Sequence, residues 1–227
     1  MEQNIIMKTN GINRIFPIAN GKDFHALKDI NIEIKKKSLT ILKGRSGSGK
    51  TTLMNILGAL DKPSSGNIFF NEKDITTFNE RQIEKLHRQS IGFIFQSVSL
   101  IPMMTAYENV EFALRLAGFK GDRNKRVEES LKLVGLGSRM HHMPGELSGG
   151  EQQRVAIARA ITHRPMVIFA DEPTAELDSN SSLIVMKIFK ELVSKEDVTI
   201  VMTTHDTGLM EAGDFVYELE DGEVVNG

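Results

Sequence analysis

The residues Gly44-Arg45-Ser46-Gly47-Ser48-Gly49-Lys50-Thr51 fit the pattern G-x-x-x-x-G-K-[ST]. Glycines let a backbone curl until successive N–H groups face one anion. A helix that starts at the end of such a loop adds roughly half a positive charge. Lys50 adds a full charge for the β- and γ-phosphates, and Thr51 offers a hydroxyl to Mg2+. Gly44, Ser46, Gly47, Ser48, Gly49, Lys50, Thr51 and Thr52 are the candidate phosphate-binding residues. A dinucleotide fingerprint fails, because Thr52 stands where its third glycine belongs. No Asn-Lys-x-Asp guanine reader is present; the nearest string is Asn124-Lys125-Arg126-Val127. A second constellation is the apolar run Met166-Val167-Ile168-Phe169-Ala170 ending in Asp171-Glu172. A buried strand would deliver Asp171 rigidly to a Mg2+ shell, with Glu172 next in line to polarise a nucleophile. Spacing does not separate a kinase, whose base serves a substrate hydroxyl, from a hydrolase, whose base serves water.

Such residues need a sheet edge to hold them. Leu27, Ile30, Ile32 and Ile34 mostly alternate, Lys35-Lys36-Lys37 interrupts, and Leu39-Thr40-Ile41-Leu42 follows, which predicts strand, solvated turn, strand. Leu53, Met54, Ile56, Leu57 and Leu60 have helical spacing from Thr51 to Leu60, and Pro63 and Gly66 break it before a strand at 67–70. A short strand is predicted at 91–95. Helical patterns follow over 102–137, with Val110, Ala113, Leu114 and Ala117 on one face and Val127, Leu131 and Val134 on the next, and again over 151–161. Wholly apolar runs at 167–170 and 198–202 fit strands buried on both faces. Asp221-Gly222 between 215–219 and 223–225 predicts a terminal hairpin. The expected architecture is one α/β domain with its core over 1–96 and 158–227 and a helical insertion over 97–157.

Composition narrows the function classes. The chain has 227 residues, no cysteine, and 28 Lys+Arg against 30 Asp+Glu. Its length suits one large domain needing no staples. Absence of cysteine excludes a disulfide scaffold and thiolate metal sites and points to a reducing, cytosol-like compartment. A net charge of −2 gives no global field for nucleic acid, and no nucleic-acid partner is expected. No apolar run is long enough to span a bilayer, and the N-terminus does not read as a signal peptide.

Leu147-Ser148-Gly149-Gly150-Glu151-Gln152 precedes a helix, so a serine cap and bare glycine amides form a second anion-binding helix start. Here the sequence resembles a family, the ATPase subunits of ATP-binding cassette (ABC) transporters, whose signature motif this string resembles. Gln96, after Ile91-Gly92-Phe93-Ile94-Phe95, resembles the Q-loop glutamine. Asp171 and Glu172 resemble the Walker B aspartate and catalytic glutamate. Ala175-Glu176-Leu177-Asp178 is similar to the D-loop, with Glu176 where a smaller or amide residue is usual. His205, after Val201-Met202-Thr203-Thr204, resembles the switch histidine. Phe16 resembles the aromatic that stacks on adenine, although Tyr is commoner there and Phe24 is a rival.

The resemblance implies a P-loop NTPase (RecA-like) core with an N-terminal antiparallel β subdomain and an inserted α-helical signature subdomain. It implies ATP and Mg2+ as ligands, the ion held by Thr51, Gln96 and Asp171. ATP would be pressed between the loop of one copy and Ser148, Gly149, Gly150 and Glu151 of a second copy, with Asp178 in the D-loop. Glu172 would act on water, His205 would hold the γ-phosphate, and Gln96 would report to a partner. The strings from Gly44 to Asp61, Phe93 to Gln96 and Thr105 to Val110 are similar to the branch of macrolide exporters, lipoprotein-releasing ATPases, the cell-division ATPase and antimicrobial-peptide resistance transporters.

Leu100, Ile101, Met103, Met104 and Tyr107 make a large apolar load around Pro102. In the family this region lines a groove for a membrane permease, which implies a peripheral position on the inner face of the cell membrane. Simple packing of the helical insertion would also account for these residues, and methionine suits an adaptable groove. Met140-His141-His142-Met143 reads as a polar loop, since adjacent histidines point in different directions. A soluble ABC-type ATPase acting on another macromolecule is the alternative. Only one cassette and no sustained heptads are present, both of which disfavour the ribosomal and DNA-repair kinds. A non-hydrolysing sensor would be expected to lack Glu172 or His205, and the chain has both.

Overall fold

The computed structural model describes residues 4–18, 21 and 23–227. In chain order the strands are β1 (Ile5–Pro17), β2 (Asp23–Ile30), β3 (Glu33–Lys35), β4 (Leu39–Lys43), β5 (Ser65–Phe70), β6 (Lys73–Asp74), β7 (Ile91–Ile94), β8 (Val167–Asp171), β9 (Thr199–Thr204), β10 (Phe215–Glu220) and β11 (Glu223–Asn226). The helices are α1 (Lys50–Leu57), α2 (Glu80–Gln89), α3 (Ala106–Leu116), α4 (Arg123–Leu133), α5 (Gly149–Ile161), α6 (Ser179–Lys195) and α7 (Thr207–Met210). They fall into two compact units, Met1–Glu84 with Thr199–Gly227, and Lys85–Val198.

The first unit holds an antiparallel sheet in the order β2-β1-β5-β6, with β3 also paired to β1. Its central strand, β1, went unforeseen: two register shifts between Ile12 and Ile15 break the alternation that would betray it. The stretch expected as one strand through Ile34 is two strands, β2 ending at Ile30 and β3 starting at Glu33, with a left-handed φ of 47° at Asp29 near the end of β2. In the same unit β4 lies parallel to β9 and to β10, and β11 closes an antiparallel hairpin with β10. Leu39, Ile41 and Leu42 of β4 and Ile200, Val201 and Met202 of β9 are buried. Helix α1 stops at Leu57 rather than Leu60, since the N–H groups of Leu60 and Asp61 turn back to the Asn55 carbonyl at 2.8 and 3.2 Å.

In the second unit β7 and β8 pair in parallel beside α3 to α6. Val110 and Leu114 of α3, Val127 and Leu131 of α4, and Val155 and Ile157 of α5 are buried together as its apolar centre. Gly92 lets β7 approach α5: a Cβ there would stand 2.6 Å from the Ala160 carbonyl oxygen. Buried Arg126 closes the far end of α5 by donating to the carbonyls of Thr162 (2.8 Å) and Ile161 (2.9 Å), acceptors that a helix C-terminus leaves over. Helix α2 also went unforeseen, because Leu86 is its single buried residue. No helix among the described residues is long and apolar enough to cross a membrane.

His163, just past α5, holds Nε2 3.0 Å from the Ile91 carbonyl oxygen of β7. Burial keeps its pKa below the ordinary histidine value, against the pull of that carbonyl. The folded imidazole therefore stays neutral where the unfolded one is already protonated. Its contribution to stability is complete above the unfolded value of about 6.5 and is lost as pH falls from there through the lower folded pKa. The urea midpoint should drop between about pH 7 and pH 5 more steeply for the parent than for His163→Gln, which keeps a donor for Ile91. Equal slopes would remove His163 from the acid response.

Candidate nucleotide site

In the first unit, β4 runs straight into the glycine loop and the loop into α1. Gly44 and Gly49 are the two positions where only glycine serves. Gly44 has φ +151°, and a Cβ there would collide with the Leu219 carbonyl oxygen and Ser48 Oγ. Gly49, the residue before α1, has φ +104°, and its Cβ would stand 2.8 Å from the Ala26 carbonyl oxygen. Arg45, Ser46 and Gly47 are exposed at the loop's crown, Ser48 is buried, Thr51 is exposed and Thr52 half-buried on the first turn of α1. Lys50 is buried, and its ammonium donates to the carbonyls of Gly44 (2.8 Å) and Arg45 (3.0 Å). The Lys50 charge is thereby held against the loop that precedes its helix. The register Leu42↔Thr203 and Lys43↔Thr204 makes the loop and His205 leave neighbouring parallel strands at one edge. His205 is exposed there, beside the turn in which Asp206 N–H donates to Thr204 Oγ1 (3.0 Å).

The loop is braced from behind by a segment that its motif does not announce. Gly222 N–H donates to the Ser48 carbonyl (3.1 Å), and its own carbonyl accepts from Lys28 N–H (2.8 Å). The Asp221-Gly222 turn, with φ of 46° and 83°, thus ties the β10–β11 hairpin to both the loop and β2. The hairpin was legible in the sequence, but its contact with the loop was not.

Phe16 and Phe24, the two aromatic candidates, are direct partners across β1 and β2. Phe16 is half-buried and Phe24 exposed.

In the second unit, the register Ile94↔Ala170 brings Gln96 and the Asp171-Glu172 pair to the carboxyl edge of β7 and β8. Asp171 and Glu172 are half-buried, and Gln96 is exposed. Continued strand alternation would send the Glu172 side chain to the face opposite Asp171. The strand instead ends at Asp171, and Glu172 takes a left-handed φ of 43°, a conformation that costs about 1–2 kcal/mol in a non-glycine residue. Strain of this kind clusters where a side chain must be aimed. The approach to Gln96 is stiffened by stacking of Phe93 on Phe169 (5.9 Å) and on Phe95 (5.7 Å). Beyond Gln96, Arg159 of α5 donates to the Ser99 (2.8 Å) and Val98 (3.3 Å) carbonyls.

Ser148 is the N-cap of α5, with a complete capping box: Glu151 N–H donates to Ser148 Oγ (3.2 Å), and Ser148 N–H donates to Glu151 Oε2 (2.9 Å). That N–H donor, with lesser help from Arg139 and Arg154, holds the Glu151 carboxyl below the usual range. The Ser148 hydroxyl also hydrogen-bonds the Glu151 carboxylate, so Oγ accepts and donates within the box. Gly150 is required by a neighbour: a Cβ there would lie 2.6 Å from Ser181 Oγ. Ser181 in turn donates its hydroxyl (2.7 Å) and its N–H (3.0 Å) to Asp178, the N-cap of α6. The signature string and the D-loop aspartate are therefore joined through Ser181, a residue the sequence reading passed over. Among the described residues no cluster of three or more His, Cys, Asp or Glu side chains could hold a metal alone.

A family model described as ABC transporter matches residues 27–175. The ATP-binding protein YtrE of Bacillus subtilis is 43% identical over 202 residues, covering 88% of this chain and 87% of that one. The macrolide export ATP-binding/permease protein MacB of Wolinella succinogenes is 42% identical over 99% of this chain, which spans 35% of MacB's length. Among solved structures, the post-hydrolysis dimer of the ATP-binding cassette MJ0796, bound to ADP and Pi, superposes with a TM-score of 0.89 at 37% identity over 97% of both chains. The antiparallel sheet, the strand–glycine loop–helix unit and the capped signature helix thus have their counterpart in known cassettes, and the chain belongs to the ABC transporter family as an ATP-hydrolysing, ATP-binding cassette of the branch that includes MacB.

Proposed function

We propose that the chain powers a separate membrane permease by closing and opening as an ATP-sandwich dimer, in the service of exporting a drug, antimicrobial peptide or lipoprotein, or of transmitting force to such a cargo. The ligand roles follow the motifs. The loop amides from Gly44 to Gly49, Lys50 and the first-turn residues Thr51 and Thr52 hold the triphosphate, Phe16 stacks on the base, and Ser148, Gly149, Gly150 and Glu151 meet the γ-phosphate of the second copy. Glu172 polarises the attacking water and His205 holds the γ-phosphate. Thr51, Asp171 and Gln96 supply hydroxyl, carboxylate and amide oxygens, a hard donor set of the kind Mg2+ accepts when phosphates and waters complete its shell. The ion, when bound, neutralises phosphate charge. The segment 97–157 acts as the helical signature subdomain, and the chain sits at the inner face of the membrane through its permease.

One observation carries the permease assignment. The turn after Gln96 displays Met103, 85% exposed, on a backbone pinned from below. Buried Asn109 accepts from Ile101 N–H (2.8 Å) and donates to the Ile101 (3.2 Å) and Met104 (2.9 Å) carbonyls. A rigidly held, solvent-facing apolar side chain beside the Gln96 segment suits docking rather than core packing. MacB joins an ATP-binding part to a permease part by name, and this chain matches 35% of its length. Met103→Glu places a charge at that contact, and because the side chain is exposed the fold should be untouched. Co-purification with the permease should fall at least about tenfold, the cost of desolvating an unpaired carboxylate, while nucleotide binding stays at the parental level. Unchanged co-purification and transport would place the docking surface elsewhere.

A further inference from the structure

Phe16 does not stand alone on β1. Arg14, two residues earlier, lays its guanidinium over the Phe16 ring, with Cζ 4.3 Å from the centroid. The guanidinium is itself fixed: Nε donates to Asp61 Oδ2 (2.9 Å) and a terminal nitrogen donates to Asp61 Oδ1 (3.1 Å), a two-pronged pairing. Asp61 is held in turn by the Lys62 N–H on Oδ1 (2.8 Å) and by its own N–H on the Asn55 carbonyl of α1 (3.2 Å). A chain of contacts therefore runs from α1, the helix that begins at the phosphate loop, through Asp61 and Arg14 to one face of the Phe16 ring. That face is occupied, so a base can stack only on the other.

We infer that Arg14, braced by Asp61, is a positioning residue for nucleobase binding: it immobilises the Phe16 ring against the terminal turn of the phosphate-loop helix and leaves one defined face for an adenine. The inference rests on Phe16 being the stacking ring. A planar guanidinium held bidentately loses little freedom on stacking, so it serves better here than a lysine ammonium would. A half-buried ring gripped on one side has less motion to lose when a base arrives.

The readout is the ratio of the dissociation constant of inorganic pyrophosphate to that of ADP, measured by calorimetry on the full chain. Pyrophosphate reports the phosphate loop alone, and the ratio reports what the nucleoside adds. Phe16→Ala should lower the ratio about tenfold, as loss of base–aromatic stacking does. Arg14→Met should lower it about two- to fivefold, the size of an exposed cation–π contact, with pyrophosphate affinity unchanged. Asp61→Asn, which keeps the arginine but slackens its brace, should lower it by a smaller factor. In a Phe16→Ala background neither variant should lower it further. A parental ratio in Arg14→Met, with a collapsed ratio in Phe16→Ala, would overturn the role of Arg14 alone. Equal weakening of both ligands by Arg14→Met would make Arg14 merely structural and would overturn it too. A parental ratio in Phe16→Ala, with the loss appearing in Phe24→Ala, would overturn the stacking assignment itself.

Discussion

Glu172→Gln should bind ATP as the parent does, lose about 10²- to 10⁴-fold in turnover, and accumulate as an ATP-bound pair. The substitution is nearly isosteric and keeps the carbonyl that accepts from Ala175 N–H (3.1 Å), so the left-handed turn at φ 43° survives it. What it removes is the carboxylate's ability to take a proton from water. If binding closes the dimer and hydrolysis releases it, blocking the chemistry traps the closed form. Phosphate release and size-exclusion elution with ATP are the two measurements. A mutant that hydrolyses at the parental rate would take the base assignment away from Glu172. One that neither hydrolyses nor pairs would break the link between binding and closure.

The second large effect concerns Ser148. Its side chain has two jobs that substitutions can pull apart: it caps α5 by accepting from Glu151 N–H, and in the proposed sandwich it donates to a γ-phosphate of the second copy. Aspartate and asparagine are N-caps as good as serine, so Ser148→Asn and Ser148→Asp should both keep the helix start, whereas Ser148→Ala should cost about 1 kcal/mol of stability. Only Ser148→Asp sets a negative charge against the phosphate. Like charges about 4 Å apart at a partly solvated site repel by roughly 4 kcal/mol, so ATP-driven pairing should weaken at least about 100-fold, with thermal stability close to the parental value. Ser148→Arg, too bulky for the same gap, should abolish pairing as well. Pairing of Ser148→Asp at parental ATP concentrations would mean that no phosphate lies across from Ser148.

Magnesium removal sorts the same roles differently. In the proposed roles the loop binds phosphate through its amides and the Lys50 ammonium, which need no metal, so chelation should spare much of the nucleotide affinity while stopping hydrolysis. Chelated protein that still releases phosphate would contradict the assignment of Thr51 and Asp171.

How much of this could be read from residue order varied with the reach of the contacts. The glycine loop, the acidic strand end and the capped signature were legible because each is a run of neighbours whose geometry is local. A positive φ at Gly44 and Gly49, a serine cap with glutamate three residues on, and an apolar strand ending in carboxylates are set by backbone sterics and by hydrogen bonds within a few positions. Even there, local pattern has a limit: the strand ends at Asp171, and Glu172 takes a left-handed φ that its sequence does not announce.

Contacts between distant segments were not legible. Arg14 meets Asp61 across 47 positions, and Gly222 reaches the Ser48 carbonyl from the far end of the chain. Ser181 fills the space that Gly150 leaves, and Arg126 finishes a helix whose last carbonyls lie 35 and 36 residues away. Each of these residues is unremarkable in its own neighbourhood, and it acquires a role only when packing presents the partner. The residues proposed to touch phosphate and water are thus written in short motifs. The residues that hold those motifs still are chosen by the tertiary structure, because a hydrogen bond or a stacked ring needs its two halves within about 3–6 Å, and only the folded chain brings them there.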